Sequence, residues 1–137
     1  MKRALVFIIC VFIAGCVEID IKDSQPKGIG TGAEIEKGMS RRDVIAVMGD
    51  SVIIGYEQKD NAEGTFIPIV VDNPYRRQTL RSEKKIFYVL YFFTEIKNAD
   101  NQITDEELTP YVFEYDNYIG KGWDFLKEVI IENEISQ

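Results

Sequence analysis

The sequence predicts an α+β fold, in which a short helical N-terminal part packs on one face of an antiparallel sheet of about three to five strands. Three observations carry that expectation. One stretch, Met39–Gly49, specifies both ends of a helix. Strand-length apolar runs follow it, separated by polar turns. A chain of 137 residues also has room for a single domain.

The helix is written in Lys37-Gly38-Met39-Ser40-Arg41-Arg42-Asp43-Val44-Ile45-Ala46-Val47-Met48-Gly49. Ser40 is a good N-cap, because its hydroxyl can accept from a first-turn N–H. Asp43 lies in the positively polarised first turn. Met39 and Val44 stand at the two positions of a hydrophobic staple. Val44, Ile45, Val47 and Met48 supply an apolar stripe, and Gly49 suits the stop. Val44 and Met48, one turn apart, are expected to face the sheet near Leu90.

The sheet reads less evenly. Val52–Tyr56 and Phe66–Val71 are β-rich runs on either side of the polar segment 57–65. Pro68 makes the second an edge strand or an irregular crossing, and Asn73-Pro74 signals a turn. Ile86–Phe93 (IFYVLYFF) is unbrokenly apolar, which predicts a strand covered on both faces. Thr109–Tyr115 and Tyr118–Trp123 pair as a hairpin around Asp116-Asn117. Phe125–Ile131 either extends that strand or forms a final turn of helix; its periodicity does not choose between them.

Ahead of the domain lies a different kind of sequence. Residues 4–13 are wholly apolar, follow Lys2 and Arg3 and precede Ala14-Gly15. This is the layout of an export signal over residues 1–15, too short for a transmembrane helix, which needs roughly 20 apolar residues. Residues 16–33, with Pro26, Gly28, Gly30 and Gly32, read as a tether. The single domain is expected over 34–137. Ile13-Ala14-Gly15-Cys16 resembles the bacterial lipobox. That resemblance implies cleavage before Cys16 and a lipid on its sulfur, so the membrane contact is expected through acyl chains. Cleavage would also remove Cys10, leaving no free thiol.

Composition narrows the chemistry. The formal net charge is −7, and cutting away Lys2 and Arg3 makes it more negative. Such a chain is a poor nucleic-acid binder. It contains no His, hence no ordinary general base at neutral pH. It shows neither a Gly-x-Ser-x-Gly elbow nor a P-loop. The expectation is a non-enzyme without a cofactor other than the lipid on Cys16.

Asn98–Glu107 can be aligned on a calcium loop with Asn98, Asp100 and Glu107 at ligand positions, but Ile96 occupies the first ligand position. The segment is therefore expected to be a polar connection without metal, in which Asn101 takes a positive φ. The candidate partner-binding residues are of two kinds. Arg76 and Arg77, with Arg81, Lys84 and Lys85, form the densest basic patch, expected in a solvated loop able to dock an acidic partner. Tyr111, Tyr115, Tyr118 and Trp123 could be core or an exposed aromatic surface. Alternation along a strand puts Tyr111, Phe113 and Tyr115 on one face, with Val112 and Glu114 on the other.

Gly38-Met39-Ser40-x-x-Asp43-Val44-x-x-x-Met48-Gly49 resembles the opening motif of the SmpA/OmlA (BamE-like) outer-membrane lipoproteins. Phe87-Tyr88-Val89-Leu90-Tyr91 and Tyr111-Val112-Phe113-Glu114-Tyr115 are similar to that family's aromatic strands. Thr104–Pro110 and Gly120–Trp123 resemble a looser group of small bacterial lipoproteins of unknown role. The resemblance implies a lipid-anchored protein, in the outer membrane and facing the periplasm, that binds or steadies another envelope protein in outer-membrane protein assembly. The alternative expectation is a periplasmic inhibitor or ligand-binding lipoprotein acting on a hydrolase or cell-wall fragment.

Overall fold

The computed structural model describes residues 34–59, 64–98 and 100–136. The expected export segment 1–15, Cys16 and the expected tether to residue 33 lie outside them. The elements run α1 (Arg41–Met48), β1 (Ser51–Gln58), β2 (Phe66–Asp72), β3 (Arg76–Arg81), β4 (Ile86–Phe93), β5 (Leu108–Glu114), β6 (Asn117–Lys121) and α2 (Trp123–Glu132). The fold class is α+β. β3-β4-β5-β6 form a four-stranded antiparallel meander, while β1 and β2 pair with each other in a separate two-stranded sheet.

α1 is built as its sequence dictates. The Ser40 hydroxyl accepts from the Asp43 N–H at 3.2 Å, and the Asp43 carboxylate accepts from the Ser40 backbone N–H at 3.4 Å, closing a capping box, while the Ser40 hydroxyl also donates to that carboxylate at 2.7 Å. Gly49, at φ 85°, ends the helix with its N–H on the Ile45 carbonyl. Val44 and Met48 are buried and join Leu90, Phe92, Tyr111, Phe113 and Tyr118 in one core layer. Eight residues make a marginal helix in isolation, so this packing holds it.

Alternation along β4 explains its unbroken apolar run. Phe87, Val89, Tyr91 and Phe93 face a second core layer, opposite to Leu90 and Phe92. That layer is closed by Leu126 and Val129 of α2, by Ile135, and by Val52 and Ile54 of β1. The four-stranded sheet is thus covered by α1 on one face and by α2 with the β1–β2 hairpin on the other.

Several expectations need correction. β1 and β2 do not extend the main sheet; they serve as cover, because β4's second apolar face needs more area than α2 supplies. Phe125–Ile131, whose periodicity leaves strand and helix both open, takes the helical alternative. At Gly120 a Cβ would stand 2.5 Å from the Phe125 ring, so the close seat of α2 on β6 requires glycine there. The last hairpin turns at Tyr115-Asp116, one residue earlier than predicted, with Tyr115 at φ 55°. Tyr115 therefore leaves the alternation that Tyr111 and Phe113 obey. Trp123 begins α2 and does not finish β6. Arg76, Arg77 and Arg81 lie in a strand, not a loop. Only Leu80 of β3 is buried, so the apolar alternation that would reveal a strand is missing.

The two edges of the main sheet differ. Outside β6, the Gly38 N–H donates to the Tyr118 carbonyl and the Tyr118 N–H donates to the Met39 carbonyl, both at 2.9 Å. Ser40 adds a bridge to Asn117. Outside β3 no described strand pairs.

Candidate functional site

The register of β3 against β4 sets Arg76 opposite Tyr91 and Gln78 opposite Val89, so both side chains lie on the α2 side of the sheet. Between this edge and α2 runs an open groove of about 560 Å³. Arg76, Gln78 and Tyr91 form its sheet wall, and Trp123, Leu126, Lys127 and Ile130 its helix wall. Those four helix residues fall on one side of α2 by spacing alone.

Arg76, Tyr91 and Trp123 are each held in the groove. The Arg76 guanidinium lies 4.0 Å from the centroid of the Tyr91 ring and 3.0 Å from a carboxylate oxygen of Asp105. The Tyr91 hydroxyl donates to Gln78 Oε1 at 2.6 Å. Burial pushes the Tyr91 phenol pKa up, and the neighbouring Arg76 charge works against that rise. Trp123 stacks obliquely on Tyr91, centroids 5.5 Å apart, and its indole N–H donates to the Leu108 carbonyl at 2.9 Å. The result is a fixed stack in which Arg76 and the half-buried Trp123 cover Tyr91, itself 3% exposed, with Arg76 paired to Asp105.

Arg77 projects to the other face, beside Leu90. There it borders a second opening of about 400 Å³ with Arg41, Arg42, Ile45 and Asp116. The Arg41 guanidinium sits 3.9 Å from the Tyr88 ring centroid, and its Nε is 2.6 Å from an oxygen of Asp116. That hydrogen bond from Arg41 holds the Asp116 pKa below the ordinary carboxylate range.

Of the residues singled out in sequence, Arg76 and Trp123 meet around the groove, while the Arg77 side chain lies on the other face. Tyr111 and Tyr118 do not line the groove. They belong to the α1-side core, 3% and 6% exposed, with their phenol pKa values raised by burial. A partner cannot reach those rings. Tyr115 is exposed, but at the far end of β4, where its hydroxyl donates to the Lys84 carbonyl. Tyr91, Gln78, Leu126, Lys127 and Ile130 escaped the sequence reading. The spacing of Trp123, Leu126, Lys127 and Ile130 was the available signal.

The connection 98–107 is held by its own acid. Glu107, 1% exposed, accepts from the N–H groups of Thr104, Lys97 and Asn98 at 3.0, 3.0 and 3.2 Å. The bonds from Thr104 and Lys97 hold its pKa low, against the upward pull of burial. Asn101 takes φ 59°, as a turn there requires. Among the described residues no cluster of three metal-ligating side chains is gathered.

Fold and groove together define a small α+β domain with one covered sheet edge and a cationic, aromatic groove beside the other. No protein-family model, curated protein or solved structure matches the chain.

Proposed function

We propose that this chain is a non-catalytic lipoprotein of the bacterial cell envelope, anchored through Cys16, that binds and steadies another envelope protein. The observation that carries the binding role is the groove between Arg76, which lies over Tyr91, and Trp123 and Ile130 of α2, beside the open edge of β3. The address rests on the charged, apolar and small-residue order of residues 1–16 and on their likeness to a lipobox. The finer assignment, to the SmpA/OmlA (BamE-like) lipoproteins and to barrel assembly at the outer membrane, rests on the Gly38–Gly49 motif and the aromatic strands. In its support, Val44 and Met48 of that motif pack against Leu90, Tyr111 and Phe113 of those strands.

The test is crosslinking in intact cells followed by affinity purification of the acylated chain. The reading expects a membrane-associated partner that is lost in the Arg76→Ala/Arg77→Ala double variant while the domain stays folded. Recovery of a soluble hydrolase or a cell-wall fragment instead would favour an inhibitor or ligand-binding role. Cys16→Ala is expected to abolish incorporation of labelled palmitate and release the protein from the membrane fraction. Continued lipidation of that variant would sink the anchor.

A further inference from the structure

The unpaired edge of β3 has a defined polarity. The Ser82 N–H donates to the Lys85 carbonyl at 3.0 Å, and the register runs without a shift from Arg81↔Ile86 to Arg76↔Tyr91. In an antiparallel ladder, bonded and non-bonded pairs alternate. Leu80, Gln78 and Arg76 therefore use their main-chain groups on β4. The N–H and C=O groups of Arg77, Thr79 and Arg81 point outward, with no described strand to receive them.

Both flanks of this edge are shaped, and they differ. On the α2 side Arg76, already paired with Asp105, and Gln78 stand before a helix wall whose accessible apolar residues are Trp123 and Ile130. On the α1 side project the side chains of Arg77, Thr79 and Arg81, with Arg42 nearby. Among the described residues Arg42, Arg77 and Arg81 have no ion-pair partner, in a protein of formal charge −7. A strand laid on this edge would send successive side chains alternately to the flank walled by α2 and to the flank of unpaired arginines.

We propose that the β3 edge accepts an extended acidic segment of another protein as an added strand, its apolar side chains on the Trp123 and Ile130 side and its carboxylates toward Arg77 and Arg81. Main-chain pairing supplies the affinity and the two flanks supply the selection. The same arginines disfavour a second copy of β3, which would bring like charges across the junction. This inference rests on the protein-binding reading above and gives it a surface and a partner chemistry.

The test uses the acylated full chain in detergent and a synthetic heptapeptide alternating Val and Glu. Binding is expected to shift the amide resonances of Arg77, Thr79 and Arg81. Replacing Glu by Lys in the peptide should abolish it. N-methylation of alternate peptide nitrogens, in the phase that faces β3, should weaken it about tenfold or more. Thr79→Pro should do the same, because that N–H is not used by β4 and proline is tolerated on an outward edge. If Thr79→Pro unfolds the domain, the N-methylated peptide decides alone. Equal binding of methylated and unmethylated peptides, shifts confined elsewhere, or self-association through β3 would each overturn the proposal. No peptide binding, with the crosslinked envelope partner still captured, removes the edge and spares the protein-binding reading. Peptide binding without any such partner supports the edge and removes the envelope role.

Discussion

The guanidinium of Arg76 lies 4.0 Å from the centroid of the Tyr91 ring and is simultaneously paired with Asp105. One side chain thus ties an edge strand, an inner strand and the connection leading into β5. The pair is partly exposed, so its worth is modest: a cation–π contact at such a site contributes about 0.5–1 kcal/mol, and exposed ion pairs little more. Arg76→Gln is therefore expected to cost no more than about 1 kcal/mol. Because burial raises the Tyr91 pKa and Arg76 opposes the rise, the variant should raise it further. Titration of the Tyr91 ring resonances would show this, and an unchanged or lowered pKa would contradict the geometry.

The α1-side core should respond far more strongly. Met48 is 9% exposed and Val44 0%, and both pack on the aromatic layer of β4 and β5. Met48→Ala is expected to cost about 2–4 kcal/mol, a large share of a small domain's stability. Denaturant unfolding measures it. A loss below about 0.5 kcal/mol, the level of a surface change, would mean that α1 is not held by this packing.

Gly120 offers a test of the seat of α2. An added Cβ would lie 2.5 Å from the Phe125 ring, so Gly120→Ala should cost about 1–3 kcal/mol through overpacking. Combining it with Phe125→Leu should recover part of that loss, because the two sites are in contact and need not add. Strict additivity in the double-mutant cycle would argue against the contact.

Acid sensitivity should concentrate on Glu107. Its folded pKa is depressed, so its contribution is fully present above the ordinary carboxylate pKa and is lost as pH falls through the lowered folded value. Glu107→Gln should lower the melting temperature clearly at neutral pH. The gap to the parent protein should narrow as the pH falls through that window. A gap independent of pH would show that the carboxylate charge is not what the three N–H groups recognise.

How much of this was legible beforehand depended on range. The α1 cap is a conversation between Ser40 and Asp43, three residues apart, and needs no other part of the chain. The two-sided burial of β4 was visible because every position from Ile86 to Phe93 is apolar. β3 was hidden because an edge strand with one buried residue has no apolar alternation to display. The aromatic candidates divided by parity and by face. Tyr111 and Tyr118 fell into the core, while Trp123, one helix start later, reached the groove.

The amino-acid sequence by itself determined the capped α1, the β5–β6 hairpin and the α+β class. These follow from capping chemistry, turn residues and side-chain periods, all of which act over a few neighbouring residues. Tertiary structure alone decided that β1 and β2 cover the main sheet without joining it, that α2 is a helix, and that Arg76, Tyr91 and Trp123 share one groove. Those outcomes depend on which strand lies beside which and which face each helix covers. They are settled by burying both faces of β4 at once, a requirement that no local stretch of sequence contains.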